Sequence, residues 1–113
     1  MNIAIDLGKK KSYVVMEENK TIVREGYVET SKYGFSTFFG EVADATIIVE
    51  ACSSLARIST FFEGHKIIAV HPVKVKMIAE SVKKTDKIDA HTLLELYNAG
   101  YLPKAYLPER ERQ

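Results

Sequence analysis

The chain has a single cysteine, Cys52, so an internal disulfide is excluded and a reducing compartment is the simplest setting. Cys52 follows an apolar run and reads as a small core residue rather than a nucleophile. One cysteine and three scattered histidines, His65, His71 and His91, do not make a closed zinc site. No run of about 18 apolar residues occurs, which argues against a membrane-spanning helix. The opening Met1-Asn2-Ile3-Ala4-Ile5-Asp6 carries no signal-peptide pattern, so the chain is expected in the cytoplasm with no membrane partner. No internal repeat or low-complexity tract is present.

The length of 113 residues suits one domain and is too short for two. A hydrophobic share of 46% is that of a globular core. The formal net charge of +1 neither requires nor excludes nucleic acid. The charge is locally uneven, however. Lys9, Lys10 and Lys11 follow Asp6, and Lys74, Lys76, Lys83, Lys84 and Lys87 surround Asp86. Such lysines suit an ordinary solvated surface, and equally a polyanion held near an acidic site.

Ile3-Ala4-Ile5 reads as a buried strand ending at Asp6-Leu7-Gly8. Ser12 to Met16 and Thr21 to Val28 read as further strands, with Glu17-Glu18-Asn19-Lys20 as the turn between them. Short turns between these three predict an antiparallel meander. Ser31 is placed to cap a helix over 32–42, whose apolar face would hold Tyr33, Phe35, Phe38, Phe39 and Val42. Thr46 to Val49 is a fourth strand running into Glu50. Ser53 or Ser54 can cap a second helix ending near Gly64. Lys66 to Val70 is a fifth strand, stopped by His71-Pro72. A helix over 73–82 and a last helix from near Asp86 to Asn98 or Gly100 complete the order β-β-β-α-β-α-β-α-α. The expected fold class is α/β, a mixed sheet of an antiparallel trio plus two parallel strands, flanked by helices.

Four carboxylates are the candidate site: Asp6 and Glu50 at strand ends, and Asp86 and Asp89, three residues apart and on one face if helical. Each has a structural explanation. Asp6 suits a turn, Glu50 a cap or surface ion pair, and Asp86 with Asp89 a capping-box-like pair. Together they suggest more. If the first strand pairs with the fourth, Asp6 and Glu50 leave the sheet side by side at the carboxyl edge, where open α/β sheets place ligands. Acids gathered there suit a hard divalent cation, Mg²⁺ or Mn²⁺, and hence metal-dependent chemistry on phosphate.

The stretches Ile3-Ala4-Ile5-Asp6-Leu7-Gly8-Lys9, Ile48-Val49-Glu50-Ala51-Cys52, Val70-His71-Pro72 and Lys84-Thr85-Asp86-Lys87-Ile88-Asp89-Ala90 resemble the amino-terminal domain of the DEDD transposases. That insertion-sequence family includes the Piv DNA invertases. The last stretch is the most specific, and order and spacing agree over essentially the whole chain. The chain departs from the family pattern at Ser53-Ser54, where a glycine is common, and at His71, where asparagine is common.

The resemblance implies a RuvC-like domain of RNase H fold over 1–104. It puts the family's four acids on Asp6, Glu50, Asp86 and Asp89. It implies metal-dependent strand cleavage and transfer in DNA transposition, with two Mg²⁺ ions clamping the attacking and leaving oxygens. In that scheme Asp6 bridges the ions, Glu50 and Asp89 bind from either side, and Asp86 positions a metal or its water. Lys9, Lys84 and Lys87 are the basic residues nearest the acids and are candidates for phosphate contact. Family members continue into a coiled coil and a domain bearing a serine nucleophile, and they act on DNA selected by a structured RNA. Residues 105–113 are accordingly expected to begin a linker to such a region, and the full-length protein to form a homo-oligomer.

Two other readings fit parts of the chain. One is a non-catalytic nucleic-acid-binding or dimerisation module of the same fold. The other is the amino-terminal piece of an actin-like ATPase or sugar kinase, whose first phosphate loop also resembles Ile5-Asp6-Leu7-Gly8. No second glycine-rich phosphate motif accompanies it here.

Overall fold

The computed structural model describes residues 1–50, 59–70 and 89–100. Five strands, β1 (Asn2–Asp6), β2 (Lys11–Glu18), β3 (Thr21–Glu29), β4 (Thr46–Glu50) and β5 (Lys66–Val70), form one sheet of order β3-β2-β1-β4-β5. β1 pairs antiparallel with β2, and β2 with β3; β1 pairs parallel with β4, and β4 with β5. The α/β mixed sheet expected from the sequence is therefore present. The helices are α1 (Lys32–Phe39) and α2 (Ala90–Ala99), with a further helical stretch at 59–61.

Alternation along the central strands divides the core into two layers. Ile3 and Ile5 of β1, Val14 and Met16 of β2, and Ile47 of β4 face Phe35 and Phe39 of α1 and Phe62. Rings dominate this layer: Phe35 and Phe62 lie 4.8 Å apart between centroids, and Phe39 and Phe62 stack at 6.1 Å. Ala4, Val15, Ile48, Ile68 and Val70 face the other way, onto Ala90, Leu93 and Leu94 of α2. Ala4 in the sheet and Ala90 in the helix are both small, which lets α2 settle close to β1.

Local sequence fixes the element ends. Ser31 caps α1 by accepting a 2.9 Å hydrogen bond from the Gly34 amide. The helix stops at Gly40, whose φ of 67° is costly for other residues, and so ends three residues before the expected Val42. Val42 still packs on the first core layer from outside the helix. Tyr33 is not part of the buried face at all, being 76% exposed. β2 runs through Glu17 and Glu18, so the expected four-residue turn contracts to Asn19-Lys20, both with positive φ. Asp89 has extended backbone and caps α2, accepting a 2.8 Å hydrogen bond from the Thr92 amide. The last helix thus begins at Ala90 rather than enclosing Asp89 in its first turn. The expected cap at Ser53 or Ser54, the helix over 73–82, and the segment 105–113 lie outside the described residues.

Truncating a ring of the first layer should be costly and truncating an exposed ring should not. Phe35→Ala is expected to lower the unfolding free energy by about 3–5 kcal/mol in urea titration. Tyr33→Ala should stay within about 0.5 kcal/mol of wild type.

Candidate functional site

The register of β1 and β4 decides where the strand-end acids go. Ala4 pairs with Ile48 and Ile5 with Val49, in parallel. Continuing one step places Asp6 and Glu50 side by side at the carboxyl edge. Period-two alternation puts both on the face shared by Ala4 and Ile48, the face that α2 covers.

The turn after Asp6 is held by a small polar network. The Gly8 amide donates to Ser12 Oγ at 3.1 Å, Thr30 Oγ1 donates to the Gly8 carbonyl at 3.0 Å, and the two hydroxyls share a 2.7 Å bond. Gly8 is required there, because a Cβ would collide with the Lys11 carbonyl oxygen. The Asp6-Leu7-Gly8 exit is therefore anchored to β2 and to the end of β3.

Hydrogen bonds near the two ends of α2 set its direction. Near its carboxyl end, Asn98 Nδ2 donates to both oxygens of Glu17 at 3.0 and 3.2 Å, and Glu17 stands opposite Asn2. Near its amino end, His91 Nε2 lies 2.9 Å from Glu25 Oε1, and the His91 ring lies 6.4 Å from that of Tyr13, the residue opposite Asp6. Since Asn2 and Asp6 are the two ends of β1, α2 runs antiparallel to it. Its amino end, with Asp89, arrives at the same sheet edge as Asp6 and Glu50.

One observation tests whether a cation fits this edge. Glu50 Oε2 is buried and accepts no hydrogen bond among the described residues, and Asp6 Oδ1 is buried beside the same strand pair. A buried carboxylate oxygen with no donor costs a few kcal/mol, which a bound cation would relieve. Carboxylate oxygens are the donors that Mg²⁺ and Mn²⁺ take. The donor set fits in kind but is incomplete: among the described residues no three Asp, Glu, His or Cys side chains converge to hold a metal ion. Asp89 is exposed and uses one carboxylate oxygen to cap α2. Asp86, Lys84, Lys87, His71 and Cys52 lie outside the described residues. Lys9 is exposed on the turn after Asp6.

Beside the acid pair stands a group that the sequence did not single out. Glu25 accepts the Tyr13 hydroxyl at 2.6 Å and faces His91 Nε2 through the same oxygen. A carboxylate is an acceptor only, so His91 Nε2 carries the proton. The two bonds, that from Tyr13 first, hold the Glu25 carboxyl below the ordinary glutamate range. The bond to Glu25 and some burial push the Tyr13 hydroxyl up from its usual value. Tyr27 meets Tyr13 edge to face at 4.8 Å, and Lys11 Nζ lies 4.7 Å from the Tyr27 ring centroid. Glu25 sits at a period-two position of an edge strand, which marks a face and not a partner. The His91 contact spans 66 residues of sequence, beyond the reach of any local pattern.

No helix among the described residues is long and apolar enough to cross a membrane. No protein-family profile and no curated protein sequence matches the chain.

The lowered Glu25 value has a definite sign. Its stabilising contribution is complete above the ordinary glutamate value of about 4.3 and is lost as pH falls through the folded-state value. Glu25→Gln should therefore lower Tm at pH 7, and the gap from wild type should close as the pH is taken down through the acid range. The raised Tyr13 value acts at the other end: its contribution is present below about 10 and fades as pH rises through the folded-state value. Thermal melts across pH, monitored by circular dichroism, measure both.

Proposed function

We propose that this chain is a metal-dependent DNA strand-cleaving and strand-transferring domain of RNase H-like, RuvC-like fold, of the kind found at the amino end of the DEDD transposases. One observation carries the reading. Asp6 and Glu50 leave adjacent parallel strands in register, on one face, with a buried Glu50 oxygen that accepts no hydrogen bond among the described residues. The strand order β3-β2-β1-β4-β5, an antiparallel trio continued by two parallel strands, supports the fold assignment. The acidic motif Lys84-Thr85-Asp86-Lys87-Ile88-Asp89-Ala90 supports the family assignment.

In this reading Asp6 and Glu50 hold the cation from the sheet, and Asp86 and Asp89 complete the set from the segment leading into α2. Bound Mg²⁺, or Mn²⁺ in its place, would supply Lewis-acid stabilisation of the attacking and leaving oxygens, ideally as a pair of ions. The chain's own residues do the rest. Lys9, on the turn after Asp6, meets a phosphate and draws DNA to the edge without reading its sequence. Lys84 and Lys87 extend the same positive surround. The cap at Thr92 engages one oxygen of Asp89, leaving the second as its ligand atom. A structured RNA that selects the DNA, a serine-bearing partner domain and a homo-oligomer belong to the longer protein in this proposal.

A second reading is a nucleic-acid-binding module of the same fold without chemistry. The exposed, capping Asp89 favours it.

Calorimetric titration with Mn²⁺ separates the two. The catalytic reading expects binding that weakens at least about tenfold in Asp6→Ala and in Glu50→Gln. Nicking of supercoiled or branched DNA with Mn²⁺ should disappear in Asp6→Ala and Asp89→Ala. Equal nicking by all proteins would point to a contaminating nuclease and remove support for the acid site. DNA binding without Mn²⁺ binding would leave the module reading.

A further inference from the structure

We propose that Tyr27, braced by Tyr13 and attended by Lys11, is a stacking platform for an unpaired nucleotide. The β2–β3 hairpin would then hold single-stranded nucleic acid beside the Asp6–Glu50 edge. The choice of ligand class rests on the function proposed above; the platform itself rests on the following geometry.

Tyr27 is 66% exposed although it lies in the sheet. It pairs with Tyr13, and Tyr13 pairs with Asp6, so the three stand in one row across β3, β2 and β1 on the face that α2 partly covers. Two strand spacings, about 10 Å, separate Tyr27 from Asp6. Tyr13 is held in place by its hydroxyl bond to Glu25, and its ring meets that of Tyr27 at an interplanar angle of 73°. That is a fixed brace rather than a mobile neighbour. Lys11 places its ammonium over the ring face, 4.7 Å from the centroid, and Lys9 and Lys10 are exposed on the adjoining turn.

An aromatic face with cations around it is the chemistry that binds single strands: bases stack on the ring and phosphates meet the cations. A duplex buries the faces of its bases in its own stack, so the platform selects unpaired nucleotides. Lys11 does not block the ring, because an exposed cation–π contact is weaker than base stacking. An arriving base takes the ring and frees the ammonium for the neighbouring phosphate. Of the carboxylates near the row, Glu25 already accepts from Tyr13 and faces His91, Glu29 stands opposite Lys11, and Asp6 lies at the row's far end. The plain alternative is that Tyr27 is kept for strand propensity alone. It gives no reason for binding to depend on the ring.

The test is fluorescence anisotropy of a labelled single strand of about 12 nucleotides with the whole chain, in EDTA. Tyr27→Ala should weaken binding at least about fivefold, and Tyr27→Phe should restore it to within about twofold. Lys11→Gln should lower the slope of log affinity against log salt by about 0.7. Thermal melts check that each variant is folded. A folded Tyr27→Ala with wild-type affinity, a Phe variant as weak as the Ala variant, or no single-strand binding by wild type would each overturn the platform. Mn²⁺ titration of wild type reports on the acid pair independently. Mn²⁺ binding with Tyr27-independent strand binding sinks the platform alone, and Tyr27-dependent strand binding without Mn²⁺ binding sinks the acid pair alone.

Discussion

The parallel pairing of β1 with β4 is the constraint on which the rest of the molecule depends. Side chains alternate along a strand with period two, so a slip of one residue would send Asp6 and Glu50 to opposite faces. The register Ala4 to Ile48 and Ile5 to Val49 prevents it. That register is enforced by burial, because Ile3, Ile5 and Ile47 must meet the phenylalanine layer while Ala4 and Ile48 meet α2. The acid pair is thus held by hydrophobic sorting several residues away. No bond between the carboxylates is needed.

The second face is set by a helix tied near both ends. Asn98 reaches Glu17, in the row of Asn2, and His91 reaches Glu25, in the row of Ala4 and so nearer the Asp6 end. Between them Leu93 and Leu94 supply apolar contact, which is non-directional and would tolerate some sliding. The two polar ties remove that freedom. They cause the amino end of α2 to arrive at the acid edge, so Asp89 belongs to the same end of the molecule as Asp6 even while it caps its own helix.

Much of this layout could be read from the chain, and the failures have physical causes. Strand positions were legible because short β-branched runs such as Thr46–Glu50 and Lys66–Val70 are bounded by turn residues. The side-by-side exit of Asp6 and Glu50 was legible only once β1 was assumed to pair with β4, which motif order suggested and periodicity did not. Helix ends were less legible. Val42 is apolar and extends the helical pattern, but Gly40 ends α1 first. Asp86 and Asp89 are equally good caps in sequence, and Asp89 caps α2. Glu17 read as a turn residue because it is charged and followed by Glu18-Asn19-Lys20. It is buried because Asn98, 81 residues away, supplies its hydrogen bonds. Contacts at that separation leave no trace in local spacing, and the Tyr13–Glu25–His91 group was invisible for the same reason.

β3 has one further property. It is last in the order of the described sheet, nine residues long, and bears Ile22, Val23 and Tyr27 as exposed apolar side chains. Such a rim invites a foreign strand to extend the ladder. Its charge sequence works against the simplest intruder, another copy of itself. Laid parallel and in step, Arg24 would stand on Arg24, Glu25 on Glu25 and Glu29 on Glu29, and like charges directly opposite repel. The strand therefore carries its own guard against fibre-like stacking while leaving its one aromatic side chain, Tyr27, open to water.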